Sequence, residues 1–141
     1  MTGTFIQSFG YAFRGLAEAW RSERNFRVQC CYAIVTAAIL VWLRPQPASA
    51  LLVFLAMSAL LSAELMNSAL ERVVDLSASG FHPLARTAKD LAASSVLVIA
   101  FATAVINLWV IGGLLVSPAQ WLLALFVGAM LAWRFAGGEG R

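Results

Sequence analysis

From Leu91 to Trp133 the chain carries no charged side chain. An uncharged run of that length cannot be wrapped inside the core of a 141-residue protein, so much of it must meet lipid. Composition agrees: 61% of residues are hydrophobic and 12% charged, where a soluble domain has about 45–50% and about 25%. Mean hydropathy is +0.81. The fold class expected is all-α integral membrane, as one membrane-embedded domain over residues 1–141, with no separate soluble catalytic domain. Any chemistry then has to take place at the membrane surface.

Hydrophobic periodicity divides the chain. Phe5, Phe9, Phe13, Leu16 and Trp20 recur at spacings of three and four, with Gln7, Arg14, Glu18 and Arg21 off that stripe. This predicts a helix over 4–24, amphipathic and lying in the membrane interface. A first span is expected from Val28 to Leu43, turned back by Arg44-Pro45-Gln46-Pro47. A second is apolar from Ala48 to Ala63 and then becomes polar. A loop is expected from Leu76 to Ala88, rich in Ser, Gly and Pro. The third span runs from Leu91 to Val116, long enough to cross with tilt. A possible fourth, Ala119–Trp133, would give only about 22 Å of helix against a core of about 30 Å. Arg134–Arg141 reads as a Gly-rich tail.

Basic residues set the orientation. Arg14, Arg21, Arg24 and Arg27 precede the first span, and Arg72, Arg86 and Lys89 lie between the second and third. Arg44 stands alone in the other loop. The bias places the N-terminal helix and the Arg72–Lys89 region in the cytoplasm, and it favours a fourth run that returns the tail there. The net charge of +3 therefore reflects topology and anionic lipid rather than nucleic acid. Met1–Phe13 lacks the layout of a signal peptide. The adjacent Cys30 and Cys31 have no metal-ligand spacing and read as small packing residues.

Of seven acidic residues, three fall on one helix end: Glu64, Glu71 and Asp75. At about 100° per residue these and Asn67 lie within about 60° of Glu64, on one face. A carboxylate in a span costs on the order of 2.5–3.5 kcal/mol, so cations or bound metal must offset it. Hard oxygen ligands suit Mg²⁺. Such a face can supply a metal-binding carboxylate, an amide to fix substrate, and a deeper carboxylate to act as base. The competing account is a polar helix end solvated by water, which serves Asp75 better than Glu64.

Lys89-Asp90 opens the third span, where Asp90 would suit a helix start and Lys89 could neutralise phosphate. Glu23-Arg24-Asn25-Phe26-Arg27 alone reads as a juxtamembrane charge run, and His82 alone as a loop histidine. No GxxxxGK or GxGxxG phosphate cradle occurs. With one histidine, a multi-histidine metal site within one subunit is excluded. An enzyme with this sequence is an acidic-residue and metal enzyme.

The stretch Glu64-Leu65-Met66-Asn67-Ser68-Ala69-Leu70-Glu71-Arg72-Val73-Val74-Asp75 resembles the E-x-x-N-[ST]-A-x-E-x-x-V-D signature of the prokaryotic diacylglycerol kinase/undecaprenol kinase family. His82-Pro83-Leu84-Ala85-Arg86-Thr87-Ala88-Lys89-Asp90 follows at the family's spacing, with Ala92-Ala93 beyond. Upstream, Gly10-Tyr11-Ala12-Phe13-Arg14-Gly15-Leu16 and Ser22-Glu23-Arg24-Asn25 also fit. The resemblance covers roughly residues 5–115, and the fourth run lies beyond it.

What the resemblance implies is a homotrimeric bundle in the bacterial cytoplasmic (inner) membrane. It has a surface helix and three spans per subunit, and its active sites are shared between subunits at the cytoplasmic face. The implied reaction moves the γ-phosphoryl of ATP, with Mg²⁺, to a lipid hydroxyl. By resemblance Glu64 is the catalytic base, Glu23 and Glu71 hold Mg²⁺, and Asn67 and Asp75 position groups nearby. Tyr11, Glu23, Glu71, His82, Lys89 and Asp90 would contact the nucleotide. Ser22-Glu23-Arg24-Asn25 and His82-Pro83-Leu84-Ala85 look more like undecaprenol kinases of Gram-positive type, a slight lean toward undecaprenol over diacylglycerol. The alternative is a small ion- or proton-coupled transporter or channel subunit using Glu64 and Glu71. Its acids would sit better at the midplane of several spans than at one end of one. A third reading is a non-catalytic assembly protein whose polar residues bond helices together.

Overall fold

The computed structural model describes residues 5–77, 80 and 82–115. They form four helices: α1 (Phe5–Ser22), α2 (Arg24–Leu43), α3 (Pro47–Ser77) and α4 (Pro83–Leu115). The last three are long and apolar enough to cross a membrane. At 1.5 Å per residue they measure about 30, 46 and 50 Å. The proposed fourth run Ala119–Trp133, the end of the third span at Val116 and the tail Arg134–Arg141 lie outside the described residues.

The chain breaks between α1 and α2 at a single residue, so the helix expected over 4–24 ends earlier. Glu23 adopts an extended backbone (φ −100°, ψ 112°). Its N–H still donates to Ala19 O at 2.8 Å, closing the last turn of α1. Arg27 then reaches back, its Nη1 donating to the carbonyls of Trp20 and Arg21 at 3.0 and 3.1 Å. These terminal carbonyls have no partner within the helix, and a cation there also complements its dipole. On α1, Phe9, Phe13, Leu16 and Trp20 are exposed along one stripe, as an amphipathic helix requires.

The α2–α3 turn is three residues long. Arg44 caps α2 in the left-handed region (φ 48°, ψ 60°), its N–H donating to Leu40 O at 2.9 Å. Pro45 cannot continue the helix, and Pro47 opens α3 where a missing N–H costs nothing. The same rule corrects the loop expected over Leu76–Ala88. Pro83 starts α4, and Arg86 N–H already donates to His82 O at 3.1 Å, so Pro83–Ala88 is helical. Asp90 therefore sits about two turns inside α4, and the helix-start role considered for it does not apply. Likewise α3 runs unbroken through its polar end to Ser77.

Helices α3 and α4 pack as an antiparallel hairpin, and α2 leans against them more loosely. Val53, Met57 and Val110 form the buried centre, with Ala33, Leu40 and Ile106 around it. Within a membrane the apolar surface gives little drive for helices to associate, so close packing and hydrogen bonds must do it. Thr103, 1% exposed, donates to Ala56 O at 3.2 Å. Asn107 Nδ2 reaches Tyr32 OH at 2.6 Å, joining α4 to α2. Outward, α4 shows Leu97, Val98, Phe101, Leu108 and Trp109, a surface suited to lipid.

Candidate active site

The polar end of α3 grades from buried to exposed, as the helical spacing requires. Glu64 is 3% exposed, Asn67 and Glu71 are partly buried, and Asp75 is exposed. Each makes a specific contact. Gln29 Nε2, from α2, donates to Glu64 Oε2 at 2.9 Å. Asn67 Nδ2 donates to Glu71 Oε1 at 2.9 Å, an i, i+4 pair along one face. Lys89 Nζ lies 2.5 Å from Asp75 Oδ1, tying the last turns of α3 to the first turns of α4.

The break after α1 brings a further carboxylate to this end. Arg72 Nη2 donates to Ser22 Oγ at 2.8 Å and lies 3.3 Å from Glu23 Oε1 and 3.8 Å from Glu18 Oε1. Ser22 Oγ in turn bonds Glu23 Oε1 at 3.1 Å. Arg72 follows Glu71 directly in α3, so its contact ties Glu23 to that part of the helix. Between α1 and α3 lies an open, mainly apolar groove of about 510 Å³, bordered by Gly15, Leu16, Leu65 and Ser68.

Of the residues expected to act together, Asn67 is joined to Glu71 and Asp75 to Lys89, while Glu23 is held by Arg72, for which no site role was expected. Asp90 instead pairs along its own helix with Arg86 at 3.9 Å. The Tyr11 ring lies under the Arg14 guanidinium, 4.6 Å from its centroid. His82 is exposed just ahead of α4. Among the described residues no hydrogen bond or ion pair joins the Tyr11 or His82 side chain to the acidic face. Three residues that sequence reasoning gave no role are now prominent: Gln29, Ser22 and Arg72. For Gln29 a signal existed, since it is the one carboxamide between Val28 and Leu43.

Among the described residues no three His, Cys, Asp or Glu side chains converge as a metal cage. Mg²⁺ is commonly held by one or two carboxylates together with substrate phosphates. Glu23 and Glu71 have the right oxygen chemistry for that role.

Residues 10–111 match the family described as prokaryotic diacylglycerol kinase. The chain belongs to that family. As a member it is an ATP-dependent lipid kinase and a multi-pass membrane protein with three candidate spans. It is similar to the undecaprenol kinase of Bacillus subtilis, 38% identical over 112 residues, covering 74% of this chain and 85% of the relative. A diacylglycerol kinase of Synechocystis is 39% identical over 125 residues, covering 86% of this chain and 66% of the relative. The diacylglycerol kinase of Escherichia coli K12 is 33% identical over 107 residues, covering 74% and 88%. Kinase membership leaves the ion-path reading of Glu64 and Glu71 without support.

Proposed function

We propose that this kinase transfers the γ-phosphoryl of ATP to the hydroxyl of undecaprenol, with diacylglycerol as the competing substrate. The observation that carries the site is Glu64, a carboxylate buried at the level where a span turns polar and held by an amide rather than by a cation. A base there meets a hydroxyl whose hydrocarbon tail remains in the bilayer. The lean to undecaprenol rests on Ser22-Glu23-Arg24-Asn25 and His82-Pro83-Leu84-Ala85.

The roles are those the family resemblance implies, and the burial of Glu64 with the Asn67–Glu71 and Asp75–Lys89 contacts supports part of them. The lipid O–H bond breaks as its proton passes to Glu64, and the oxygen bonds the γ-phosphorus. The bond from that phosphorus to the bridging oxygen breaks, and ADP leaves with its electron pair. Such transfer depends chiefly on positioning and charge neutralisation. Glu23 and Glu71 would hold Mg²⁺, which when bound would neutralise phosphate charge. Asn67 fixes the Glu71 carboxylate, and Asp75 holds Lys89 where its ammonium can meet a phosphate oxygen. Tyr11, His82 and Asp90 stand as nucleotide contacts. The whole of residues 1–141 acts as one domain in the inner membrane, with α1 on the cytoplasmic surface and three copies forming the enzyme.

The test uses purified protein in vesicles, following ATP consumption with and without Mg²⁺, on undecaprenol and on diacylglycerol in parallel. Preference for undecaprenol is expected; a strong preference for diacylglycerol overturns the substrate assignment. Glu64→Gln, measured alongside, should still bind MgATP while turnover falls about 10²–10⁴-fold. Turnover retained in that variant removes Glu64 as base.

A further inference from the structure

Gln29 is a carboxamide set one turn into an apolar helix, and its two ends have unequal fates. Nε2 donates to Glu64 Oε2 at 2.9 Å, across 35 residues of chain. Oε1 is buried and has no hydrogen-bond partner. A buried acceptor left idle normally costs on the order of 1–3 kcal/mol, which α2 could avoid with almost any apolar residue. Such an orphan in native structure asks for a role.

The Glu64 side chain has no other protein hydrogen bond among the described residues, and no cation lies against it. The ionisable groups of the surrounding helices are engaged elsewhere. Arg27 is on the carbonyls of Trp20 and Arg21, and Arg72 on Ser22, Glu18 and Glu23. On α3 and α4, Glu71 accepts from Asn67, Lys89 pairs with Asp75, and Asp90 pairs with Arg86. On α2, Tyr32 is bonded by Asn107, Cys30 and Cys31 are free thiols, and Arg24 is exposed at the helix start. Among the described residues, the Glu64 carboxylate is therefore met by one amide N–H.

We infer that Gln29 is a positioning residue for Glu64, the two ends of its amide serving the two protonation states of the base. This rests on the assignment of Glu64 as base. While Glu64 is ionised it only accepts, and Gln29 offers N–H. Once Glu64 has taken the lipid's proton it becomes a donor, and the idle Gln29 Oε1 is the adjacent acceptor. Turning the amide about its terminal torsion exchanges the two ends, and that torsion is broad and roughly two-fold. The amide thus follows the proton without changing its own charge. The cycle closes when Glu64 releases the proton to water as products leave and the N–H returns.

The experiment compares wild type, Gln29→Met, Gln29→Asn, Glu64→Gln and the double variant Gln29→Met/Glu64→Gln in vesicles, using whichever lipid alcohol the wild type phosphorylates. Met keeps length and removes both polar ends; Asn keeps the amide but withdraws it by one methylene. Turnover is recorded against pH, with KM for MgATP, and thermal unfolding in detergent identifies folded variants. The pH profile is included because a purely structural role for Gln29 would leave its shape as in wild type. Gln29→Met and Gln29→Asn are expected to change that shape, with the loss falling on turnover rather than on KM. Turnover at neutral pH should fall about ten-fold, with KM for MgATP within about two-fold. The double variant should be no slower than Glu64→Gln, because residues acting as a unit are not additive. The inference is overturned if Glu64→Gln is slow while a folded Gln29 variant keeps both the wild-type pH profile and rate. If Glu64→Gln itself turns over normally, the base assignment has failed, a result separable from the first.

Discussion

Arg72 Nη2 lies 3.3 Å from Glu23 Oε1 across the break between the surface helix and the first span. The carboxylate proposed to meet Mg²⁺ is therefore placed by an arginine on another helix, and that arginine neighbours the second proposed ligand. Ser22 completes the link, accepting from Arg72 at 2.8 Å.

Arg72→Ala should separate positioning from stability. The Arg72 and Glu23 side chains are 50% and 28% exposed, and pairs of this kind contribute about 0–1 kcal/mol. Thermal unfolding should therefore change little, while KM for MgATP rises several-fold because Glu23 is no longer held beside α3. Unchanged KM would show that Glu23 needs no placement by Arg72.

Glu71→Gln should preserve assembly, since the side chains are nearly isosteric, and lose most activity as a charged ligand disappears. Partial recovery at raised Mg²⁺ is the expected signature. A Mg²⁺ titration indistinguishable from wild type, at near-normal rate, would remove Glu71 from the metal site.

The Asp75–Lys89 pair predicts unequal consequences for its two halves. Lys89→Met removes the charge proposed to meet phosphate and should raise KM for MgATP at least ten-fold. Asp75→Asn leaves that charge in place and alters only its tether, so an increase of two- to three-fold is expected from a half-exposed pair. Equal losses in nucleotide titrations of the two variants would mean that Asp75 has a direct role of its own.

Tyr32→Phe tests the clamp between spans. It removes the oxygen acceptor for Asn107 Nδ2, leaving the Met57 sulfur at 3.6 Å to a buried amide whose Oδ1 already lacks a partner. Hydrogen bonds between spans contribute about 0.6 kcal/mol on average and at most about 1.7. A loss of roughly 1 kcal/mol in detergent unfolding is expected, with KM for MgATP unchanged because the clamp is remote from the proposed nucleotide residues. A stability equal to wild type would show that the bond contributes nothing.

Periodicity made the spans legible, because uncharged stretches admit few alternatives, and spacing made the acidic face legible, because seven and eleven residues return a helix near its starting direction. Turn chemistry was partly misread. Ser, Gly and Pro between Leu76 and Ala88 suggested a loop, yet Pro83 is a helix opener there, which moves Asp90 away from the helix start. The break at Glu23 carries neither Gly nor Pro; what completes it is Arg27, folding back from the next helix. Gln29 stood out only as a lone carboxamide in an apolar span, and its role could not be read from that. Its partner is 35 residues away, and which faces of two spans meet is decided by packing that no local pattern encodes.

Helix α3 has 31 residues without interruption, about 46 Å of rod against a hydrocarbon layer of about 30 Å. Its apolar end and its acidic end cannot move independently, so membrane thickness acts as a ruler for the chemistry. Where the bilayer swells, Glu64 is drawn below the plane at which a lipid hydroxyl rests; where it thins, the acids are lifted toward water. Tilt can absorb part of the difference, but each degree also re-aims the carboxylates. The bilayer in which this enzyme works is thus also part of the frame that holds its proposed base in place.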